Sequence, residues 1–287
     1  VKVSTPLAFI VTIALASNIA AAQSTPANAS ITIVPPKAVG VVDDPCAMLL
    51  PPPEVPGPAL RRRTSQQALA AASKAWDEQQ LRYDFGGLCR YRHANATLPP
   101  ATEHRVVFMG DSITQAWIDA DPNMFTNDVI DRGVSGQTTA QMLLRFRQDV
   151  IDLHPAAVHI LAGTNDIAGN TGPTSIDAIE GNIKSMVELA RAHHIRVILA
   201  SITPVAKYPW RPEVQPVETI RTLNDWMKGY AKENGLVYLD YFSSLDDGHR
   251  GFIARLAIDG VHPNAQGYAV MDKLAKRAIK EVLSAAP

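Results

Sequence analysis

From Pro100 onward the chain repeats one pattern: a short apolar run without polar alternation, then a longer amphipathic stretch. "RVVFMG" (105–110) leads into a helix expected from Ser112, and "VIDRGV" (129–134) into "TTAQMLLRFRQDVI" (138–151). "AAVHILAG" (156–163) precedes "SIDAIEGNIKSMVELARAHH" (175–194), and "RVILASI" (196–202) precedes "VETIRTLNDWMKGYAKENG" (217–235). "LVYLDY" (236–241) and a final helix over "NAQGYAVMDKLAKRAIKEVL" (264–283) complete the series. A strand open to water on one face alternates polar with apolar residues, so runs that do not alternate are covered on both faces. Strands each followed by a helix, with right-handed crossovers, predict an α/β fold: a three-layer α/β/α sandwich around a parallel sheet.

In such sheets ligands collect at the carboxyl ends of the strands. Three of the expected strands end there on small and polar residues: Gly110-Asp111-Ser112, Gly133-Val134-Ser135-Gly136 and Gly163-Thr164-Asn165-Asp166. "IDGVHPNAQGY" adds Asp259 and His262, three apart, just before the last helix. A serine hydroxyl becomes a useful nucleophile when a neutral imidazole takes its proton, and a carboxylate holds that imidazole in the useful tautomer. Ser112, His262 and Asp259 are the candidates. A tetrahedral intermediate also needs donors preset around its oxyanion, for which the N–H groups of Ser112 and Gly136 and the Asn165 amide are available. The Ser112 stretch does not fit the G-x-S-x-G elbow, because Thr114 stands where the second glycine would be.

GDSIT (110–114), GVSG (133–136), GTND (163–166) and DGVHP (259–263) resemble, in order and spacing, the four sequence blocks of the SGNH, or GDSL-type, hydrolases. The resemblance covers about residues 105–285. It implies a flavodoxin-like sheet and cleavage of esters or thioesters without cofactor or metal. It also implies Ser112 as nucleophile, Ser112, Gly136 and Asn165 as the oxyanion hole, and Asp259 with His262 as the rest of the triad. The leading expectation is a carboxylic ester hydrolase acting on short acyl or carbohydrate-linked acyl groups through an acyl-enzyme. The alternatives are a lysophospholipase or thioesterase, or an acyltransferase passing the acyl group to a sugar hydroxyl. No lid-like insertion separates the blocks, which favours short acyl chains. Trp117, one turn past Ser112, is a candidate for the substrate pocket, as are Tyr208 and Trp210 in "KYPWRP" (207–212). Asp111 and Asp166 are expected to tie turns together by hydrogen bonds, and His159 to be a core imidazole.

The segment before Pro100 is of another kind. Lys2, the apolar stretch "PLAFIVTIALAS" and the small residues of "NIAAAQ" have the layout of a secretory signal peptide, with cleavage expected after Ala22. The run is short for a bilayer span, so a periplasmic or secreted protein without a stable membrane anchor is expected. Residues 23–64, with "PPPEVPGP" at 51–58, are a proline-rich arm or linker. Residues 65–100 form a helical extension whose helix starts at Ser65, and 101–287 the catalytic domain. Two cysteines, Cys46 and Cys89, lie in this first part, and in an exported chain they are expected to pair. With 27 Lys and Arg against 28 Asp and Glu, nothing points to nucleic acid as a partner, and a small-molecule or carbohydrate ester is the expected one.

Overall fold

The computed structural model describes residues 40–49, 66–126 and 128–284. The expected signal peptide and most of the proline-rich arm lie outside the described residues. Five strands form one all-parallel sheet: β1 Val106–Gly110, β2 Val129–Gly133, β3 Ala157–Leu161, β4 Arg196–Ala200 and β5 Val237–Leu239. Their order is β2-β1-β3-β4-β5. Ten helices accompany them among the described residues: α1 Gln66–Tyr83, α2 Arg92–Ala96, α3 Ser112–Gln115, α4 Trp117–Ala120, α5 Thr139–Asp149, α6 Thr164–Ile167, α7 Ile176–Ala192, α8 Val217–Glu233, α9 Phe242–Leu245 and α10 Ala265–Ser284.

The pleat sorts the strand residues onto two faces. Val107, Met109, Val158, Ile160, Val197 and Leu199 pack against α5, α7 and α8, through residues such as Phe146, Ile183 and Leu223. Val106, Phe108, Leu161, Ile198 and Ala200 pack on the opposite side with Met271 and Ala275 of α10. Both faces are dry, which is why the strands carry no polar alternation. None of the described helices is long and apolar enough to cross a membrane.

Two expectations about local structure are refined. The helix expected from Ser112 is broken into α3 and α4, joined at Ala116, the C-cap of the first and N-cap of the second. The helical extension expected over 65–100 contains a second, short helix, α2, besides α1. The extension also packs closely onto the sheet layers. Gln141 Nε2 donates to Phe85 O (2.9 Å), Gln137 Nε2 to Gly86 O (3.0 Å), and Gln148 Nε2 to Leu88 O (2.6 Å). Cys46 and Cys89 are joined in the structure, their Cα atoms 5.4 Å apart.

The strand order places β2 and β3 on either side of β1, so the chain switches direction across the sheet at the carboxyl end of β1. Gly110 pairs in register with Gly133 and Leu161. The turns after β1, β2 and β3 therefore converge on one small volume, the crevice where open α/β sheets bind ligands.

Candidate active site

The turn after β1 begins at Asp111, whose Oδ1 accepts from the Ile113 N–H at 2.9 Å and caps α3. This turn passes so close to β2 that a Cβ on Gly133 would lie 2.1 Å from Gln115 N. The cap and the close approach hold Ser112 at the first position of α3. Burial pushes the Asp111 carboxyl up to about 6, although the Ile113 hydrogen bond and His262 pull it down.

Ser112 Oγ lies 2.9 Å from His262 Nε2, and His262 Nδ1 lies 2.8 Å from Asp259 Oδ2. Asp259 Oδ1 accepts from the N–H groups of His262 (2.8 Å) and Val261 (3.0 Å). Burial raises the Asp259 carboxyl, but the hydrogen bonds from the His262 N–H, the His262 ring and the Val261 N–H outweigh it. The net shift is downward and the carboxylate stays ionised. An ionised Asp259 can only accept, so His262 Nδ1 carries the proton and Nε2 presents its lone pair to Ser112 Oγ.

Next to this line stands a set of amides. Asn165 Nδ2 gives one hydrogen to Gln137 O at 3.1 Å, and no acceptor among the described residues takes the second. Its orientation follows from a chain of bonds that begins at a ring. The Trp210 indole N–H, which can only donate, gives its proton to Asn170 Oδ1 at 3.2 Å. Asn170 Nδ2 must then be a donor, and it bonds Gly136 O (3.1 Å) and Asn165 Oδ1 (2.8 Å). Asn165 is left with its NH₂ as the group that faces away from Asn170. Gly136 has φ +77°, a left-handed conformation that glycine adopts without cost. A Cβ there would meet nothing closer than Asn170 Nδ2 at 3.8 Å, so backbone conformation and not steric crowding demands glycine.

The three turns are cross-tied. Ser135 N–H donates to Gln115 Oε1 (2.8 Å), and Asp166 accepts from Thr139 N–H (2.9 Å) and Thr139 Oγ1 (2.6 Å). The wholly buried Arg145 donates through Nη2 to Gly110 O (3.0 Å) and through Nε to Gln137 Oε1, and pairs with the equally buried Asp149 at 3.1 Å. Asp166 ties turns as expected from the sequence, whereas Asp111 caps its own. Arg145, Asn170 and Gln137 were not expected. The available signal was the polarity of Arg145 within the buried face of an otherwise amphipathic helix, and of Asn170 one turn beyond the Gly-Thr-Asn-Asp block.

Of the three aromatic candidates, two do not face the site. Trp117 is fully buried, stacks edge-on to Phe108, and donates its indole N–H to Asp272 Oδ1 at 2.7 Å. Tyr208 is also fully buried, with its hydroxyl 3.0 Å from Thr164 Oγ1. Both rings are claimed by the core, so neither offers a surface to substrate. Trp210 does: it is 37% exposed and its ring centroid lies 6.0 Å from that of His262. His159 is a core imidazole, stacked on Phe108 and bonded to the Tyr241 hydroxyl, and burial pushes it down to about 3.

The pattern of the GDSL-like lipase/acylhydrolase family matches residues 108–270, more than half of the chain. The chain belongs to that family. A solved GDSL-like lipase from Bacteroides thetaiotaomicron is 45% identical, with a TM-score of 0.67 over 69% of this chain and 98% of that one. An acetylxylan esterase of Geobacillus stearothermophilus is 26% identical over 54% of this acylhydrolase and 71% of its own length. An uncharacterized lipoprotein of Bacillus subtilis, YqeF, is 36% identical over 27% of the chain, a match spanning 33% of the lipoprotein. The family and the sheet topology agree with the sequence-based expectation of a GDSL-type α/β hydrolase.

Proposed function

We propose that this acylhydrolase is an exported serine esterase that cleaves short acyl esters, including acyl groups carried on carbohydrate. The observation that carries the proposal is the continuous hydrogen-bonded line Ser112–His262–Asp259 beside the Gly136 and Asn165 donors. Export is supported by the leader-like first residues and by the lipoprotein among the relatives. Carbohydrate esters are supported by the acetylxylan esterase among them.

In the first step Ser112 Oγ forms a bond to the ester carbonyl carbon while its proton passes to His262 Nε2. The carbonyl oxygen takes the electron pair and is held by the N–H groups of Ser112 and Gly136 and by Asn165 Nδ2. Asp259 stabilises the imidazolium through Nδ1–H without taking the proton. Collapse of the intermediate breaks the carbon–oxygen bond to the alcohol, whose oxygen receives the proton from Nε2. Water, deprotonated by His262, then attacks the acyl-Ser112 and returns the serine. A sugar hydroxyl in place of that water would make the same acyl-enzyme a transferase.

A series of 4-nitrophenyl esters of increasing chain length, assayed with and without an added sugar acceptor, tests the proposal. The expected result is highest kcat/KM at acetate or butyrate, with free acid as the product in the presence of acceptor. Preference for long chains, or acyl-sugar as the main product, would overturn the substrate and reaction assignments respectively.

A further inference from the structure

A cleft of about 280 Å³ runs from the Gly136 turn toward the N-terminal extension. One side is made of Ser135, Gly136, Asn170 and Trp210, the residues that flank the oxyanion donors. The other side comes from residues that precede the family-matched region: Trp76 and Gln80 of α1, with Phe85 just after it. The extension is held there by the amides of Gln137, Gln141 and Gln148, which are spent on its backbone carbonyls.

The chemistry of the cleft is specific. It has three rings, Trp76, Phe85 and Trp210, and Trp76 makes no ring–ring contact among the described residues. None of the described residues that line it carries an acidic or basic side chain. The polar side chains among the described lining residues are hydroxyls and amides: Ser135, Thr171, Gln80, Gln137, Gln141 and Asn170. An aliphatic chain would cover these hydroxyls and amides without offering them a hydrogen-bond partner, which is costly. An anion would find no counter-charge. A pyranose ring, with an apolar face for an indole and hydroxyls in its plane, satisfies both kinds of group.

We propose that α1 and the Phe85 loop form a binding subsite for a neutral sugar, which holds the carbohydrate part of the ester beside the oxyanion donors. The subsite deepens the esterase proposal above and rests on it for the position of the scissile bond. Trp76 supplies the stacking face, the exposed Ser135 bonds a sugar hydroxyl, and Trp210 joins this surface to Asn170 and so to the Asn165 amide.

The test uses the full chain and two readouts. In the first, kcat/KM of wild type and Trp76→Ala is compared on acetylated xylotetraose, 4-nitrophenyl acetate and 4-nitrophenyl dodecanoate. The ratio of oligosaccharide to 4-nitrophenyl acetate is expected to fall at least ten-fold, mostly through KM, and to recover in Trp76→Phe. A ratio changed less than two-fold, or a selective loss on the dodecanoate, would overturn the sugar subsite. In the second, unacetylated xylo-, cello- and galacto-oligosaccharides are titrated into Ser112→Ala, following tryptophan fluorescence. Saturable quenching is expected in Ser112→Ala and not in Ser112→Ala/Trp76→Ala. Binding without turnover of any ester would sink the esterase reading and leave the subsite standing. Ester turnover without binding of any of these sugars would do the reverse.

Discussion

An amide can face a reacting carbonyl through its NH₂ or its oxygen, and only the first stabilises an oxyanion. For the oxyanion role proposed for Asn165, its amide is oriented by Asn170, and Asn170 by the donor-only indole of Trp210. The two asparagines should therefore differ in kind when truncated. Asn165→Ala removes a donor and is expected to lower kcat by roughly 10²–10³ with little change in KM, because the oxyanion needs that hydrogen more than the ground-state carbonyl does. Asn170→Ala keeps the donor but frees its orientation, so a smaller loss confined to kcat is expected. Steady-state kinetics of both variants on one activated ester checks this, and a loss in Asn170→Ala expressed only in KM would contradict it. At this scale Ser112, Asp259 and His262 could be picked out as candidates in the sequence because each sits in a short local pattern whose residue types suit one chemistry, and the structure brings the three side chains within hydrogen-bonding distance in a line. Trp117 and Tyr208 were misjudged because proximity in sequence to a site says nothing about which way a ring turns. Their orientation is fixed by Asp272 for Trp117 and Thr164 for Tyr208, which lie 155 and 44 residues away in sequence.

Within the sheet, β2 is an edge strand, yet it carries a buried acid. Asp131 Oδ1 accepts from Gly133 N–H at 2.6 Å, but Oδ2 has no partner among the described residues. Burial pushes this carboxyl up to about 7 against the pull of the Gly133 hydrogen bond and nearby arginines. A raised carboxyl binds its proton in the folded state at pH values where the unfolded chain has released it. Stability is then lost as pH rises from the unfolded value toward about 7. Asp131→Asn cannot ionise, so its stability relative to wild type should move in the variant's favour between pH 5 and pH 8. Denaturant melts at the two values measure it, and a shift in the opposite direction would show that the charged form is the one the fold prefers. The strands themselves were legible because burial on both faces leaves a continuous apolar run. The break between α3 and α4 was not, since it depends on how Tyr268 of α10 reaches across to the Ile113 carbonyl at 2.9 Å. The short helix α2 was hidden for a similar reason. It is held by Asn95 bonding Asp149 Oδ1 (2.7 Å) and by Arg132 Nε bonding Asn95 (2.7 Å), contacts 54 and 37 residues apart in sequence.

Over the whole molecule, residues before Pro100 form one wall of the cleft beside the proposed oxyanion donors and are tied to the rest and to one another. Backbone carbonyls at 85–88 accept from α5 and the turn before it, Asp44 pairs with Arg92, and Cys46 is bonded to Cys89, 43 residues away. In the chain-entropy model a loop of this length is worth on the order of 4 kcal/mol. Cys46→Ser/Cys89→Ser should lower the unfolding free energy by up to about that amount, and thiol titration of the unfolded, unreduced protein should find no free cysteine. Two free thiols would refute the pairing. The central claim is that Ser112 alone becomes acylated, with its proton taken by His262. Its most direct test is intact-mass measurement and peptide mapping of active enzyme treated with a fluorophosphonate. One phosphonyl group per chain, on Ser112, rising in step with loss of esterase activity, is the expected result. Complete inactivation with Ser112 unmodified, or full activity with Ser112 phosphonylated, would contradict it.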